Sequence, residues 1–211
     1  MTRVAFLVDG FNLYHSIVKL QRDTNYCANW LDVYSLCNSY LHLFGKETQL
    51  TTVRYFSALP YHLNSTSPGK IDRHQKYLSC LKDSEVIVEL GRFKEKDVFC
   101  TKCRTVFLKH EEKETDVAIA ITLLELLFTG KCDTAVIMSG DTDLSPAVKK
   151  SRALFPDKKI LFAFPYARKN KELHNLATDS FSISQKQYIR HQFSNPVILK
   201  NGHEIHKPST W

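Results

Sequence analysis

The sequence has little glycine and little proline, with seven of each among 211 residues. This scarcity excludes collagen-like, linker-like and low-complexity chains. No apolar run approaches the roughly 20 residues of a membrane-spanning helix, so we expect no membrane segment. The apolar start of the chain ends at Asp9, too early for a secretory signal peptide, and we expect a cytoplasmic protein. Walker and Gly-x-Gly-x-x-Gly loops are also missing, which weakens any nucleotide-cofactor hypothesis.

Hydrophobic residues make up 43% of the chain, which is enough to bury the core of one sizeable domain. We expect that domain over residues 1–194 and an irregular tail over residues 195–211. The chain has 29 Lys and Arg against 22 Asp and Glu, a net charge of +7. Such a surplus suits a polyanionic partner such as nucleic acid, although many soluble proteins carry one without binding anything anionic.

Short apolar runs alternate along the chain with segments of helical periodicity. The predicted strands cover residues 3–8, 51–58, 85–90, 134–138, 160–164 and 181–183. The predicted helices begin near residues 12, 32, 71, 115, 146 and 170. This alternation predicts an α/β protein with a mostly parallel sheet and helices on both faces. Residues 92–113 break the pattern and predict an inserted β-hairpin.

Several local features refine this prediction. Asn12 and Asp32 are plausible caps for the first two helices, and the second helix is expected to run to Phe44. Gly91 is expected to end the third strand. The almost solidly apolar residues 115–128 predict a buried helix. A polar loop at residues 60–69 is a candidate substrate loop.

The cysteines divide into scattered single residues and one close pair. With no export signal, we expect all six to be reduced thiols. Cys100 and Cys103 have the spacing of one half of a structural Zn²⁺ site. His110, Cys80 or Cys132 could supply further ligands, as could a partner chain. The alternative is a reduced pair at a hairpin turn.

Four aspartates follow predicted strands or open a predicted helix. Asp9 follows the first strand, Asp141 and Asp143 follow the strand at residues 134–138, and Asp116 opens the apolar helix. Ligands bind at the carboxyl edge of such a sheet, so we expect the four carboxylates to converge there. Like charges this close are costly unless they are protonated or bridged by a cation, and acidic oxygen clusters suit Mg²⁺ or Mn²⁺. Each aspartate alone would be an ordinary turn or cap residue.

Three blocks carrying these acids resemble a known family. Residues 8–14 (VDGFNLY), 113–117 (KETDV) and 139–144 (SGDTDL) look like the signature blocks of the NYN domain, a family of PIN-like nucleases. Residues 91–103 and the segment FAFP at 162–165 resemble its LabA-like bacterial subgroup. The similarity covers most of residues 3–195.

The resemblance implies a PIN-like three-layer α/β/α sandwich and a metal-dependent nuclease that acts on RNA. By position, the metal-binding acids would be Asp9, Asp116, Asp141 and Asp143, with Asn12 as an accompanying catalytic polar group. Many relatives carry a further aspartate where this chain has Thr122. That departure implies one firmly held ion and a second that binds only with substrate.

Substrate contacts are expected from other residues near this edge. Ser139 belongs to the third block, and Arg168, Lys169 and Lys171 follow the last core strand, where cations suit phosphate groups. Aromatic side chains beside the acids or in the polar loop could stack on unpaired bases, although core or rim packing is the commoner role of such rings. These are Phe11, Tyr14, Tyr61 and His62.

The leading hypothesis is therefore a Mg²⁺- or Mn²⁺-dependent ribonuclease, endonucleolytic on single-stranded RNA. One alternative is a non-catalytic RNA-binding or regulatory module that retains the acidic pocket. Another is a metal-dependent phosphatase, which is weakened because no Asp-x-Asp-x-Thr motif follows the first strand. A homodimer is compatible with the sequence.

Overall fold

A computed structural model describes residues 1–63 and 67–211, and its centre is a seven-stranded sheet. In chain order the strands are β1 (Thr2–Asp9), β2 (Thr48–Ala58), β3 (Val86–Phe99), β4 (Val106–Lys113), β5 (Thr134–Met138), β6 (Lys159–Phe164) and β7 (Asp179–Ser182). Their order across the sheet is β4-β3-β2-β1-β5-β6-β7. Every neighbouring pair is parallel except β3 with β4. The predicted mostly parallel sheet is confirmed.

Helices cover both faces of this sheet. They are α1 (Gly10–Thr24), α2 (Val33–Ser39), α3 (Pro68–Asp83), α4 (Thr115–Phe128), α5 (Ser145–Leu154), α6 (Lys171–Leu176) and α7 (Gln185–Arg190). One hydrophobic cluster joins the sheet to α1, α2, α3 and α7. A second cluster joins the opposite face to α4, α5 and α6. The predicted three-layer α/β/α sandwich is therefore confirmed.

The central strand β1 shows why the sheet must be covered on both sides. Val4, Phe6 and Val8 point into the first cluster, and the alternating residues Ala5 and Leu7 point into the second. All five are fully buried. Because successive strand residues face opposite sides, a continuous apolar run is stable only between two layers of helices.

The hairpin extends strand β3 beyond the parallel sheet. Residues 86–91 of β3 pair with β2, and residues 92–99 pair antiparallel with β4. The inserted hairpin predicted at residues 92–113 is confirmed. The prediction that Gly91 ends the third strand is wrong, because β3 continues through Gly91 while its pairing changes from β2 to β4.

Two helix predictions need correction. α4 was expected to be buried, but Val117 and Ile121 are 62% and 61% exposed while Ile119 and Leu123 are fully buried. A helix lying on a sheet buries only one face, so the outer apolar residues of α4 meet solvent. The second helix ends at Ser39 instead of reaching residue 44, and a 3-10 turn follows at Leu41–Phe44.

The predicted polar loop is shorter than expected. A 3-10 turn occupies Tyr61–Leu63, and α3 begins at Pro68. Residues 64–66 of that loop lie outside the described residues. None of the helices in the described ranges has the length and apolar character required to cross a bilayer.

The tail after residue 195 is mostly irregular and packs against the domain. Its short strands β8 (Val197–Ile198) and β9 (Glu204–Ile205) form an antiparallel pair. Trp211 contacts Trp30, with 6.0 Å between the ring centroids. The tail thereby extends the cluster that contains α1, α2 and α3.

Candidate functional site

The carboxyl ends of β1 and β5 lie side by side because the two strands are parallel neighbours. Asp9 ends β1, and its carboxylate accepts hydrogen bonds from the Asn12 backbone amide at 2.9 Å and the Ser139 hydroxyl at 2.8 Å. The Asp141 amide in turn donates to the Ser139 hydroxyl oxygen at 3.1 Å. These bonds join two segments that are 130 residues apart in the chain.

Asp9, not Asn12, caps the first helix. Asp9 precedes α1 in an extended conformation and accepts the Asn12 amide, so the predicted cap at Asn12 is wrong. The Asn12 side chain instead accepts a hydrogen bond from the Gly140 amide at 3.0 Å. Asn12 therefore connects the start of α1 to the loop after β5.

Ser139, which the sequence analysis assigned to substrate contact, supports the acids in this structure. Its side chain is fully buried, and its hydroxyl is engaged by Asp9 and by the Asp141 amide. Ser139 positions Asp9 and the Asp141 loop instead.

Asp9 and Asp116 interact unfavourably with neighbouring carboxylates. Burial, with the charge of Asp141, raises the pKa of Asp9 despite its hydrogen bonds. Burial, together with the charges of Asp9, Asp141 and Asp143, raises the pKa of Asp116 to about 6. Such effects require carboxylates that are close and poorly shielded by water. All four predicted acids thus lie at the same edge of the sheet.

Glu112 is an additional acid at this edge that the sequence analysis missed. It lies near the end of β4, and burial together with the charges of Asp116 and Asp9 raises its pKa to about 7. Its Oε1 atom is buried without a hydrogen-bond partner. The hairpin must return to the sheet before α4, which places residue 112 beside Asp116. The short distance in sequence between the hairpin and α4 could therefore have indicated that Glu112 joins the aspartates.

We define the acidic edge as Asp9, Glu112, Asp116, Asp141 and Asp143. Among the described residues, none of these five side chains forms an ion pair. Within residues 1–63 and 67–211, no three His, Cys, Asp or Glu side chains are grouped so that they could hold a metal ion. The acids are thus close enough to repel one another without forming a complete protein cage.

The predicted phosphate-binding cations lie close to this edge. The backbone of Arg168 abuts Gly140 so closely that a side chain at residue 140 would collide with it. Lys169 and Lys171 are exposed, on either side of Asn170, which caps α6. The loop after β6 therefore packs against Gly140, the residue that precedes Asp141.

The cysteine pair lies at the tip of the hairpin, away from the proposed additional zinc ligands. The Cys103 thiol interacts with the Thr105 hydroxyl at 2.9 Å, and the Cys100 amide donates to the Thr105 carbonyl. His110 pairs opposite Glu95 far down the hairpin, so its proposed role as third ligand is wrong. Cys80 and Cys132 are buried in the two cores. This arrangement matches the alternative of a reduced pair at a turn.

An aromatic pocket of about 360 Å³ adjoins the acidic edge. Its walls include six aromatic side chains, those of Phe11, Tyr14, Tyr55, Tyr77, Phe93 and Trp211. Gly10 lies between pocket and acids, and a side chain there would come within 2.8 Å of the Tyr55 hydroxyl. Glycine at position 10 therefore lets the pocket reach the residue next to Asp9.

His62 lines this pocket, whereas the neighbouring Tyr61 does not. His62 stacks on His110, with 3.9 Å between centroids, and contacts the edge of Phe93. Tyr61 is 65% exposed. Of these two predicted base-stacking residues, only Tyr61 has most of its surface in solvent.

The three-layer fold with acids at the carboxyl edge defines a PIN-like protein. The family model of the NYN domain matches residues 3–185, and the chain belongs to the NYN domain family. NYN domains are generally nucleases of the PIN-like class. The predicted family is confirmed.

Two relatives extend this comparison. The chain is 26% identical to 6-hydroxy-3-succinoylpyridine 3-monooxygenase HspA of Pseudomonas putida, over 99% of this chain and 75% of that protein. A crystal structure of a Vibrio parahaemolyticus protein of unknown function superimposes with a TM-score of 0.57 and 17% identity. That match covers 87% of this chain and 94% of the other, and it supports the fold alone.

Proposed function

We propose that this protein hydrolyses phosphodiester bonds in single-stranded RNA, using Mg²⁺ or Mn²⁺ bound at Asp9, Asp116, Asp141 and Asp143. Membership of the NYN family supports the nuclease activity. The observation that carries the proposal is the set of acids at one edge, which form no ion pairs within the described part of the chain. Burial, together with the charges of Asp9, Asp141 and Asp143, raises the pKa of Asp116 to about 6. A divalent cation would relieve this repulsion.

The residues fit a hard divalent cation by their chemistry. Every acid offers oxygen ligands, which Mg²⁺ and Mn²⁺ prefer. Mg²⁺ commonly keeps several waters and binds through one or two carboxylates plus substrate phosphates, without a full protein cage. The separation of the acids agrees with such a partial site, and Thr122 supplies no carboxylate on α4.

The bound ion would lower the pKa of an attacking water and offset charge on the leaving oxygen. Asp141 and Asp143 lie on the turn after β5, from which they would hold the ion, while Asp9 would share it or orient the water. Ser139 and Asn12 keep Asp9 and the Gly140 loop in register through their hydrogen bonds. Arg168, Lys169 and Lys171 would bind the phosphates on either side of the scissile bond.

The decisive experiment incubates a labelled single-stranded RNA with the protein in Mn²⁺ and in EDTA. Metal-dependent internal cleavage by the wild type, absent from Asp141→Asn, is the expected result. Tight RNA binding without cleavage would instead identify a regulatory module. Release of phosphate from small esters, with RNA left intact, would identify a phosphatase.

A further inference from the structure

The aromatic pocket has the size and walls of a site for a small planar ligand. Its volume of about 360 Å³ is at the lower end for small-molecule sites, which range from about 300 to 1,000 Å³. Rings from α1, β2, α3 and the hairpin face it, and aromatic walls favour stacking with a planar ring. A larger cavity of about 610 Å³ between α5 and β6 has no aromatic residue among its described lining residues.

One hydroxyl that lines this pocket has no hydrogen-bond partner among the described residues. Tyr55 is 5% exposed, and its hydroxyl lies at the wall shared with Gly10. It forms no hydrogen bond with any described residue. Because the hydroxyl oxygen lines the open pocket and is not used by another described residue, Tyr55 is available to bind a polar ligand atom.

Two further polar groups offer hydrogen bonds in the same cavity. Ser57 lies on β2, two residues after Tyr55, and its hydroxyl is 3.3 Å from Nε2 of His74 on α3. Burial lowers the pKa of His74 to about 4, so its imidazole is neutral at pH 7. A neutral imidazole and two hydroxyls offer both donors and acceptors, which matches the edge of a nitrogen heterocycle.

The charge of the pocket indicates an anionic group on the ligand. Lys70 and Arg73 of α3 line it, and no carboxylate occurs among the described residues that do so. Arg73 donates to the Thr210 hydroxyl at 3.0 Å, and neither cation forms an ion pair within the described residues. Two unpaired cations at the rim of an aromatic cavity suit a phosphate or a carboxylate.

We propose that the aromatic pocket binds a planar nitrogen heterocycle bearing an anionic group, and that in the reaction this ligand is one unpaired nucleotide of the RNA substrate. The assignment to RNA rests on the proposed nuclease function, whereas binding of the ring does not. The ring would stack among the aromatic walls, with its polar edge toward Tyr55 and its phosphate toward Arg73. Because Gly10 separates the pocket from Asp9, the nucleotide bound there would place the adjoining phosphodiester at the acidic edge.

The first test measures ligand binding in EDTA by calorimetry, so that catalysis plays no part. The probes are the four nucleoside 5′-monophosphates and nicotinate, with ribose 5-phosphate as the control that lacks a heterocycle. We expect at least one ring-bearing anion to bind about tenfold or more tightly than ribose 5-phosphate, since stacking of one base is worth about 1–3 kcal/mol.

Pocket variants locate the bound ligand. Tyr55→Phe removes only the unpartnered hydroxyl, and we expect affinity to fall about five- to tenfold, the usual effect of one hydrogen bond. Arg73→Gln tests the anionic group at a partly exposed position of α3, with an expected loss of about tenfold. Tyr40→Phe is the matched control, because Tyr40 is equally buried but packs against Phe181 near the opposite edge strand.

The second test asks whether the ligand belongs to an RNA strand. Asp141→Asn protein binds a short RNA in which a single abasic nucleotide is moved through every position. We expect loss of the base at one position to weaken RNA binding about tenfold. If the Tyr55→Phe variant shows no further loss with that abasic RNA, the pocket binds a nucleotide of the strand. Uniform affinities alongside strong binding of free probes would assign the pocket to a free small molecule and overturn the RNA part.

Other outcomes separate this proposal from the nuclease proposal. If no ring-bearing anion binds the folded wild type at millimolar concentration, or if Tyr40→Phe weakens binding as much as Tyr55→Phe, the pocket assignment is wrong. A protein that binds the ring but leaves RNA intact in Mn²⁺ keeps the pocket assignment and loses the nuclease. A protein that cuts RNA but binds no probe gives the opposite result.

Discussion

The two ends of strands β1 and β5 treat carboxylates in opposite ways. At the amino end, Asp133 accepts hydrogen bonds from Arg3 at 2.9–3.1 Å and from Lys158 at 2.8 Å, and these cations hold its pKa well below its usual range. At the carboxyl end, Asp9 and Asp116 face other acids and their pKa values are raised. Opposite ends of the same two strands thus separate a carboxylate that stabilises the fold from carboxylates suited to an external cation.

The largest expected effect is on cleavage at the acidic edge. Asp141→Asn preserves the oxygen that accepts the Asp143 amide but removes the charge. We expect metal-dependent RNA cleavage to fall by more than about 100-fold, beyond the usual cost of losing an outer-shell partner. The melting temperature in EDTA should stay equal or rise because repulsion of Asp116 decreases. A clear drop in that melting temperature would contradict the repulsion argument.

The next effect concerns the buried serine that supports Asp9. Ser139→Ala leaves one oxygen of a buried carboxylate without its donor, and we expect the free energy of unfolding to fall by about 1–3 kcal/mol. Ser151→Ala is the matched control, because Ser151 is also fully buried but its hydroxyl has no partner. Urea denaturation of both variants measures the difference. Equal losses would indicate that Ser139 acts only by filling space.

Neutral replacements at the two edges should change stability in opposite directions. Asp133→Asn loses contacts with Arg3 and Lys158, and we expect a loss of about 1 kcal/mol because the group is a third exposed and screened. Asp116→Asn in EDTA should instead increase stability, since it removes repulsion with Asp9 and Asp141. Thermal unfolding of both variants under identical conditions makes the comparison. Two changes of the same sign would refute the contrast between the edges.

The smallest expected effect is the pH dependence of the stability changes caused by Asp116→Asn and Asp133→Asn. The pKa of Asp116 rises from 3.8 in the unfolded chain to about 6 on folding. Between these two pH values the folded state therefore binds more protons than the unfolded state. Its stabilising contribution is full below pH 4 and is lost as the pH rises through 6. Asp133 has a depressed pKa, so its contribution is present above pH 4 and is lost as the pH falls.

Urea unfolding in EDTA at pH 4.5 and pH 7 measures this dependence. The gain from Asp116→Asn should be greater at pH 7 by about 1 kcal/mol, after allowing for solvent screening of a half-buried carboxyl. The loss from Asp133→Asn should differ little between these two pH values. A gain from Asp116→Asn that does not change with pH would contradict the raised pKa.

The prediction of the fold succeeded where one segment carried its own signal. The continuous apolar run of β1 and the Asp32 cap of α2 appear in the structure as expected. The errors occur where contact with another segment determines the local structure. Gly91 was predicted to end β3, but pairing with β4 continues the strand beyond it. The sequence of α4 likewise does not show that its outer apolar face is left uncovered.

The sequence predicted the aspartates of the candidate site but not the hydrogen bonds that hold them in place. The position of each aspartate after a strand or at a helix start was enough to gather them at one edge, because parallel strands end together. Asn12 and Ser139 were identified, but their partners Gly140 and Asp9 lie about 130 residues away, so these supporting hydrogen bonds could not be predicted. Glu112 was missed although its neighbour Asp116 is close in the chain, whereas the Tyr55 pocket was missed because its walls come from distant segments.

Periodicity and the order of apolar runs thus set the strands, the helices and the edge on which the aspartates gather, since each depends on residues close in the chain. Only the folded structure shows which carboxylates form ion pairs and which hydroxyls hydrogen-bond to the acids. It also shows that an aromatic cavity opens beside Asp9. Those outcomes depend on packing between segments that no local pattern relates.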